Sequence, residues 1–152
     1  MTLTDRGGDL HGAAAARLGD DGQRYTRNRR ALVEVLAATS RPLTLPEILE
    51  RRHDVPQSSA YRNLAVLEAT GVVRRVLSQD EFSRYELAEE FTDDHHHHVM
   101  CSHCGHMEDV AVPDELEAEL ERVAEDLARR LDYSLDHHRL DVIGTCADCR
   151  RR

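Results

Sequence analysis

Apolar residues recur at helical spacing through the first half of the chain and then switch to short alternating runs. Ala31, Leu32, Val35 and Leu36 share one helical face, entered from the Arg-rich segment 22–30, and Ala60, Leu64 and Leu67 share another. Between them, Thr44-Leu45-Pro46-Glu47 reads as a capping box. Its Thr hydroxyl and Glu carboxylate serve each other's free backbone N–H groups, and proline is tolerated in a first turn that needs no donor. A short helix over 45–52 follows. Ser58 is placed to cap the next helix, which ends at Gly71, the residue type suited to a left-handed C-terminal cap. Val72-Val73-Arg74-Arg75-Val76-Leu77 and Phe82-Ser83-Arg84-Tyr85-Glu86-Leu87 predict two strands joined by residues 78–81. Three helices and a hairpin make a winged helix-turn-helix, whose last helix enters the DNA major groove N-terminus first. Ser59, Tyr61, Arg62 and Asn63 cluster at that outer end. Residues 1–21 mix Gly, Asp and a short alanine run, which predicts a flexible segment with at most a frayed helix over 11–18.

The second half predicts a separate α/β unit. Residues 89–94 form a polar connector that includes Asp93 and Asp94. A strand over 107–112 precedes a helix over 114–131, where Leu116, Leu120, Val123, Leu127 and Leu131 repeat at three-to-four-residue spacing as a packing stripe. Residues 138–144 alternate as a strand with His138, Leu140 and Val142 on one face. So small a unit is expected to bury its stripe against a twin. The expected organisation is a winged helix over 22–90, a hinge over 91–94 and a dimerisation domain over 95–152, together an α+β fold.

Charge changes this picture in one respect. The net −9 is unevenly spread: residues 22–88 carry +3, whereas residues 89–152 carry −10. Only the middle of the chain is therefore suited to lie on phosphates. Aromatic residues are scarce, so the core must be aliphatic. No apolar run approaches the roughly 20 residues of a membrane span, and the first residues lack a signal-peptide core, so a cytoplasmic protein without a membrane partner is expected.

The densest chemistry lies in His95-His96-His97-His98-Val99-Met100-Cys101-Ser102-His103-Cys104. In an extended backbone His96 and His98 face one way and His95 and His97 the other, so one segment can feed two metal sites. The pair Cys101/Cys104 and the pair Cys146/Cys149 each have the Cys-x-x-Cys spacing of zinc ligands, and together they offer four thiolates for a closed tetrahedral site.

These residues together resemble the ferric uptake regulator family of metal-responsive bacterial repressors. The resemblance is carried by Arg24-x-Thr26-x-x-Arg29, by Ser59-Ala60-Tyr61-Arg62-Asn63-Leu64 through Gly71, and by Tyr85-Glu86-Leu87. It continues through the His run with Cys101-x-x-Cys104-Gly105 and ends on His138-x-Leu140-x-x-x-Gly144-x-Cys146-x-x-Cys149. It implies structural Zn2+ on the four cysteines and a regulatory divalent cation on Glu86, His96, His98 and Asp109. A further site would use His95, His97, His138 and a helix carboxylate, Glu117 or Glu121. Arg24, Arg29, Ser59, Tyr61 and Arg62 match DNA-contacting positions, and the partners implied are double-stranded palindromic DNA and a second copy of the chain. Pro42 and Ala88 stand where many relatives place a metal-binding His or Cys; His11 and His53 are the spare imidazoles.

The function so implied is a metal-dependent repressor of iron or zinc homeostasis genes. Imidazoles with carboxylates suit Zn2+, Fe2+, Mn2+ or Ni2+, so ligand type alone does not choose the cation. The alternatives are a peroxide-sensing regulator of the same family and a zinc-storage protein in which DNA plays no part. An enzyme is not expected: neither His-Glu-x-x-His nor a deaminase His-x-Glu with Pro-Cys-x-x-Cys is present.

Overall fold

In the computed structural model, which describes residues 3–76, 82–92 and 95–152, the chain divides into two units, Met1–Asp94 and His95–Arg152. The expected turn at 78–81, the end of its first strand at Leu77, and the hinge carboxylates Asp93 and Asp94 lie outside the described residues.

The first unit begins with helix α1, Leu3–Asp20. The helix is longer and better buried than the partly helical start expected over 11–18: Ala14 and Leu18 are fully buried and Leu10 packs against the same core. Glycines at 7, 8 and 12 disfavour a helix locally, so it is this burial that stabilises it. Helix α2, Arg27–Ala37, is capped by Thr26, whose hydroxyl accepts from the Arg29 N–H. The two-residue strand β1, Leu43–Thr44, leads directly into α3, Leu45–Arg51. The capping box forms as read: Thr44 N–H donates to Glu47 Oε2 at 2.8 Å and Glu47 N–H donates to Thr44 Oγ1 at 3.4 Å.

Helix α4, Gln57–Ala69, starts two residues earlier than Ser58 capping requires. Pro56 holds the cap position, its carbonyl accepts from Ala60 N–H, and Ser58 falls inside the first turn. At the far end Gly71 adopts φ +75°; its N–H reaches Glu68 O while Val72 N–H reaches Leu67 O, the paired bonds of a Schellman stop. Strands β2, Val73–Val76, and β3, Arg84–Leu87, then pair antiparallel, and β1 joins the other side of β3. As the central strand β3 is buried along its whole length, Arg84 and Glu86 included. A 3-10 turn, Glu89–Phe91, closes the unit, and Arg17 of α1 ion-pairs with Glu90 and lies over the Phe91 ring.

The second unit is a three-stranded sheet with order β5-β4-β6: β4 is His97–Cys101, β5 is Met107–Val110 and β6 is Asp141–Gly144. Strands β4 and β5 are antiparallel across a tight turn at Gly105, φ +70°. Strands β4 and β6 are parallel, so the chain must cross over. Helix α5, Asp114–Leu131, makes that crossing, and the short α6, Ala147–Arg150, ends the unit. Acidic residues in the first turn of α5 and Arg129 and Arg130 in its last suit the helix dipole. Its apolar stripe is left uncovered: Leu116, Val123, Leu127 and Leu131 are all exposed, as are Val142 and Ile143 on β6. The strand expected over 138–144 is paired only from Asp141 onward. Among the described residues no helix is long and apolar enough to cross a membrane.

If α1 belongs to the core, Leu18→Ala should cost roughly 2–5 kcal/mol. Urea unfolding of the full chain measures it, and a loss below about 0.5 kcal/mol, the scale of a surface change, would mean that α1 only rests on the surface.

Candidate metal centres and nucleic-acid interface

The turn after β4 and the start of α6 bring both Cys-x-x-Cys pairs together, and the four sulfurs lie within 4.8 Å of one another. All four are free thiols rather than disulfides. Cys104 and Cys146 Sγ stand 3.8 Å apart. Thiolates about 2.3 Å from one tetrahedral ion would be about 3.75 Å apart, so the set fits zinc. The N–H of Cys146 donates to Cys101 Sγ at 3.3 Å. That bond, followed by those from Cys104 and His103, pulls the Cys101 thiol down to about 5. Cys149 is pushed up to about 12, first by the Cys146 and Cys104 sulfurs beside it. Crowded sulfurs cannot all ionise unaided, whereas a dication stabilises every thiolate at once.

On one face of β4, His95 and His97 meet Glu117 of α5 and His138, again within 4.8 Å. Glu117 Oε1 has His138 Nε2 at 2.6 Å and His95 Nε2 at 3.2 Å, while Oε2 is 2.8 Å from His97 Nε2. Oε1 is buried yet accepts no hydrogen bond from the described residues. Nitrogens that crowd an oxygen without hydrogen-bonding it converge as ligands of one ion do, about 3–3.5 Å apart when each is roughly 2.0–2.2 Å from the metal. Burial pushes the Glu117 carboxyl up, but the His97 bond and the charges of His95 and His138 outweigh it and hold it below the usual range. Glu121, the other helix carboxylate expected here, is exposed and outside the cluster. One helical turn, about 5.4 Å of rise, separates the two.

On the opposite face, strand register builds the third group. His98 is aligned with Asp109 on β5 and with Asp141 on β6, so the three form one rung. His98 Nε2 is 3.6 Å from Asp109 Oδ1, and His96 Nε2 is 3.7 Å from Asp109 Oδ2. Both distances exceed hydrogen-bond reach and suit ligands sharing an ion. His98 is fully buried, and its Nδ1 lies 3.3 Å from Asp141 Oδ1. Glu86, the remaining expected ligand, sits on β3 of the first unit, buried and paired with Arg74 at 2.5 Å. Neither spare imidazole joins a cluster of three or more potential ligands among the described residues. His11 is 2.7 Å from the Tyr25 hydroxyl, and His53 lies exposed in the turn after α3.

The DNA-facing candidates divide into two groups. Arg24, Tyr61 and Arg62 are exposed, and the last two line an open groove with Leu45, Gln57 and Ser58. Arg29 and Ser59 are instead committed inward. Arg29 donates to Asn63 Oδ1 at 3.0 Å and to Arg24 O at 2.6 Å, while Ser59 Oγ accepts from Asn28 at 2.9 Å and from Asn63 at 3.1 Å. This network ties α2 to the start of α4. Asn28 and Asp141 were not among the sequence candidates. Asn28 is marked only by its place beside Arg29, and Asp141 only by the parallel register.

The sequence profile of the ferric uptake regulator family matches residues 20–143. The peroxide-responsive repressor PerR of Staphylococcus saprophyticus is 32% identical over 137 residues, covering 88% of this chain and 86% of that protein. The ferric uptake regulator of Vibrio cholerae has a similar structure, at TM-score 0.65 and 25% identity, covering 85% of this chain and 96% of that one. A zinc-bound manganese uptake regulator aligns at TM-score 0.61 and 25% identity over 90% of this chain and 98% of its own.

Metal binding at a closed cysteine site is folding free energy, about 10–16 kcal/mol in small zinc modules. Cys149→Ser should therefore lower bound zinc by about one equivalent per chain, read by elemental analysis, and remove the cooperative melting of residues 95–152. A variant that lacks that zinc and melts as the parent does would refute a structural role.

Proposed function

The chain belongs to the ferric uptake regulator family of metal-responsive transcriptional regulators, and from that premise we propose a repressor of metal-homeostasis genes that binds operator DNA when a divalent cation occupies a regulatory site. The ligands proposed are His96, His98 and Asp109 from the second unit and Glu86 from the first. The observation that carries this reading is the rung on which a fully buried His98 faces Asp109 at a distance suited to a shared ion rather than to a hydrogen bond. A cation held by residues from both units limits how they move, and a bias within the usual range of about 1–3 kcal/mol changes affinity roughly 5- to 150-fold. The four cysteines hold structural zinc, and His95, His97, Glu117 and His138 form a further cation site.

The exposed stripe of α5, with Val142 and Ile143, supports a two-fold dimer, because apolar residues in a continuous face are normally covered. A dimer also suits palindromic DNA, whose half-sites recur about 34 Å apart. Arg24, Tyr61 and Arg62 are the proposed contacts, while Arg29 and Ser59 hold the reading helix in place. A peroxide-responsive function is the second reading, favoured by the 32% identity to a peroxide-responsive repressor. There, peroxide would oxidise a ligand imidazole in a reaction catalysed by bound Fe2+, and repression would end.

Gel shifts on palindromic operator DNA with and without Mn2+, Zn2+ or Fe2+ test both. Metal should raise the affinity of the parent protein at least tenfold, and His96→Ala/His98→Ala should lose that response; an undiminished response in the double variant would remove the switch. Release from DNA by peroxide only in the Fe2+-loaded form would favour the second reading, and no DNA binding under any condition would favour storage. Val123→Glu/Leu127→Glu should turn dimer into monomer by light scattering, and an unchanged mass would place the dimer contact elsewhere.

A further inference from the structure

The regulatory cluster has an outer carboxylate that the ligand set does not use. On β6, Asp141 stands beside His98 in the parallel register, opposite the strand that carries Asp109. Its Oδ1 is 3.3 Å from His98 Nδ1, whereas its Oδ2 is held by Arg139, whose Nε donates at 2.7 Å. The two oxygens thus have separate partners. The His98 ring is sealed from water, so no solvent competes for its Nδ1.

We propose that Asp141 is the positioning residue of the regulatory metal site: by accepting a hydrogen bond from His98 Nδ1–H, it fixes the tautomer and ring orientation that present an unprotonated Nε2 toward Asp109. A neutral imidazole has one N–H and one lone pair, so a carboxylate at one nitrogen leaves the other as the ligand. Loss of such outer partners typically weakens metal binding by about 10–100-fold. Arg139 contributes by keeping the carboxylate from rotating away. The adjacent residues serve the other face: Leu140 N–H donates to His97 Nδ1 at 3.2 Å, and His138 belongs to the second cluster. Residues 138–141 thus touch both faces of β4, but in opposite senses: Asp141 accepts at His98 Nδ1, whereas Leu140 N–H donates to His97 Nδ1. This inference rests on the metal-site reading above.

The test uses the full-length protein with its cysteine site zinc-loaded and the other sites stripped. Nitrogen-15 resonances of the His98 ring should show a single Nδ1–H tautomer in the parent and in Asp141→Asn, whose amide oxygen still accepts. Asp141→Ala should show a mixture. Mn2+ binding, followed by electron paramagnetic resonance, should weaken at least tenfold in Asp141→Ala and recover to within about threefold in Asp141→Asn, with zinc content and circular dichroism unchanged throughout. Parent-like tautomer and Mn2+ affinity in Asp141→Ala, alongside weakened binding in His98→Ala, would overturn the role of Asp141 alone. Unweakened Mn2+ binding in His98→Ala as well would overturn the metal-site reading and this inference with it. An Asp141→Ala that fails to fold passes the decision to Asp141→Asn, where a mixed tautomer or a tenfold loss would overturn the proposal.

Discussion

A pleated strand sends consecutive side chains to opposite faces, and the second unit depends on that constraint. Strand β4 and the residue pair before it carry four histidines in a row, which the pleat sorts into two sets without any loop or insertion. The same strand ends on Cys101, so its direction also sets where the thiol cluster begins. Three candidate cation sites are thus drawn from one ten-residue segment. Their partners within the second unit come from its two neighbours in the sheet, from the crossover helix and from the short α6. A shift of one residue in register would exchange the two histidine sets and leave each facing the wrong carboxylate.

Electrostatics assigns the remaining roles. The acidic excess lies in the half of the chain that gathers cations, and the basic excess lies in the half that presents the α4 N-terminus. Within the histidine clusters, carboxylates and imidazoles approach closely while leaving an oxygen of Glu117 buried without a hydrogen bond among the described residues. A polar atom removed from water without a hydrogen bond is costly, and in a site rich in nitrogen donors a cation resolves that cost. The cysteine cluster poses the same problem with sulfur, since its neighbours pull one thiol far down and push another far up.

Much of this was readable from local pattern. The stripe Ala60, Leu64, Leu67, the Thr44 to Glu47 capping box, the stop at Gly71 and the two Cys-x-x-Cys pairs all depend on residues a few positions apart. What escaped depends on distant partners. Helix α1 contains glycines that argue against it locally and stands because Ala14 and Leu18 are buried by residues far along the chain. Strand β1 has two residues, too few for any periodicity, and exists through Leu43 and Thr44 pairing with Tyr85 and Arg84. Glu117 and Glu121 share a helical face, so spacing could not separate them; the position of His138 does. Asp141 acquires its place only from the parallel pairing of β4 with β6.

The inward network at the start of α4 bears on how the proposed reading helix would meet DNA. Asn28, Arg29, Ser59 and Asn63 are held by one another before any ligand arrives. The loss of conformational freedom needed to order them is met once, during folding, and is not charged again against each encounter with a helical polyanion. Rigidity and recognition are thereby divided between neighbouring residues of the same turn. On the proposed reading, substitutions at Tyr61 or Arg62 would change what is read without loosening the frame that presents them.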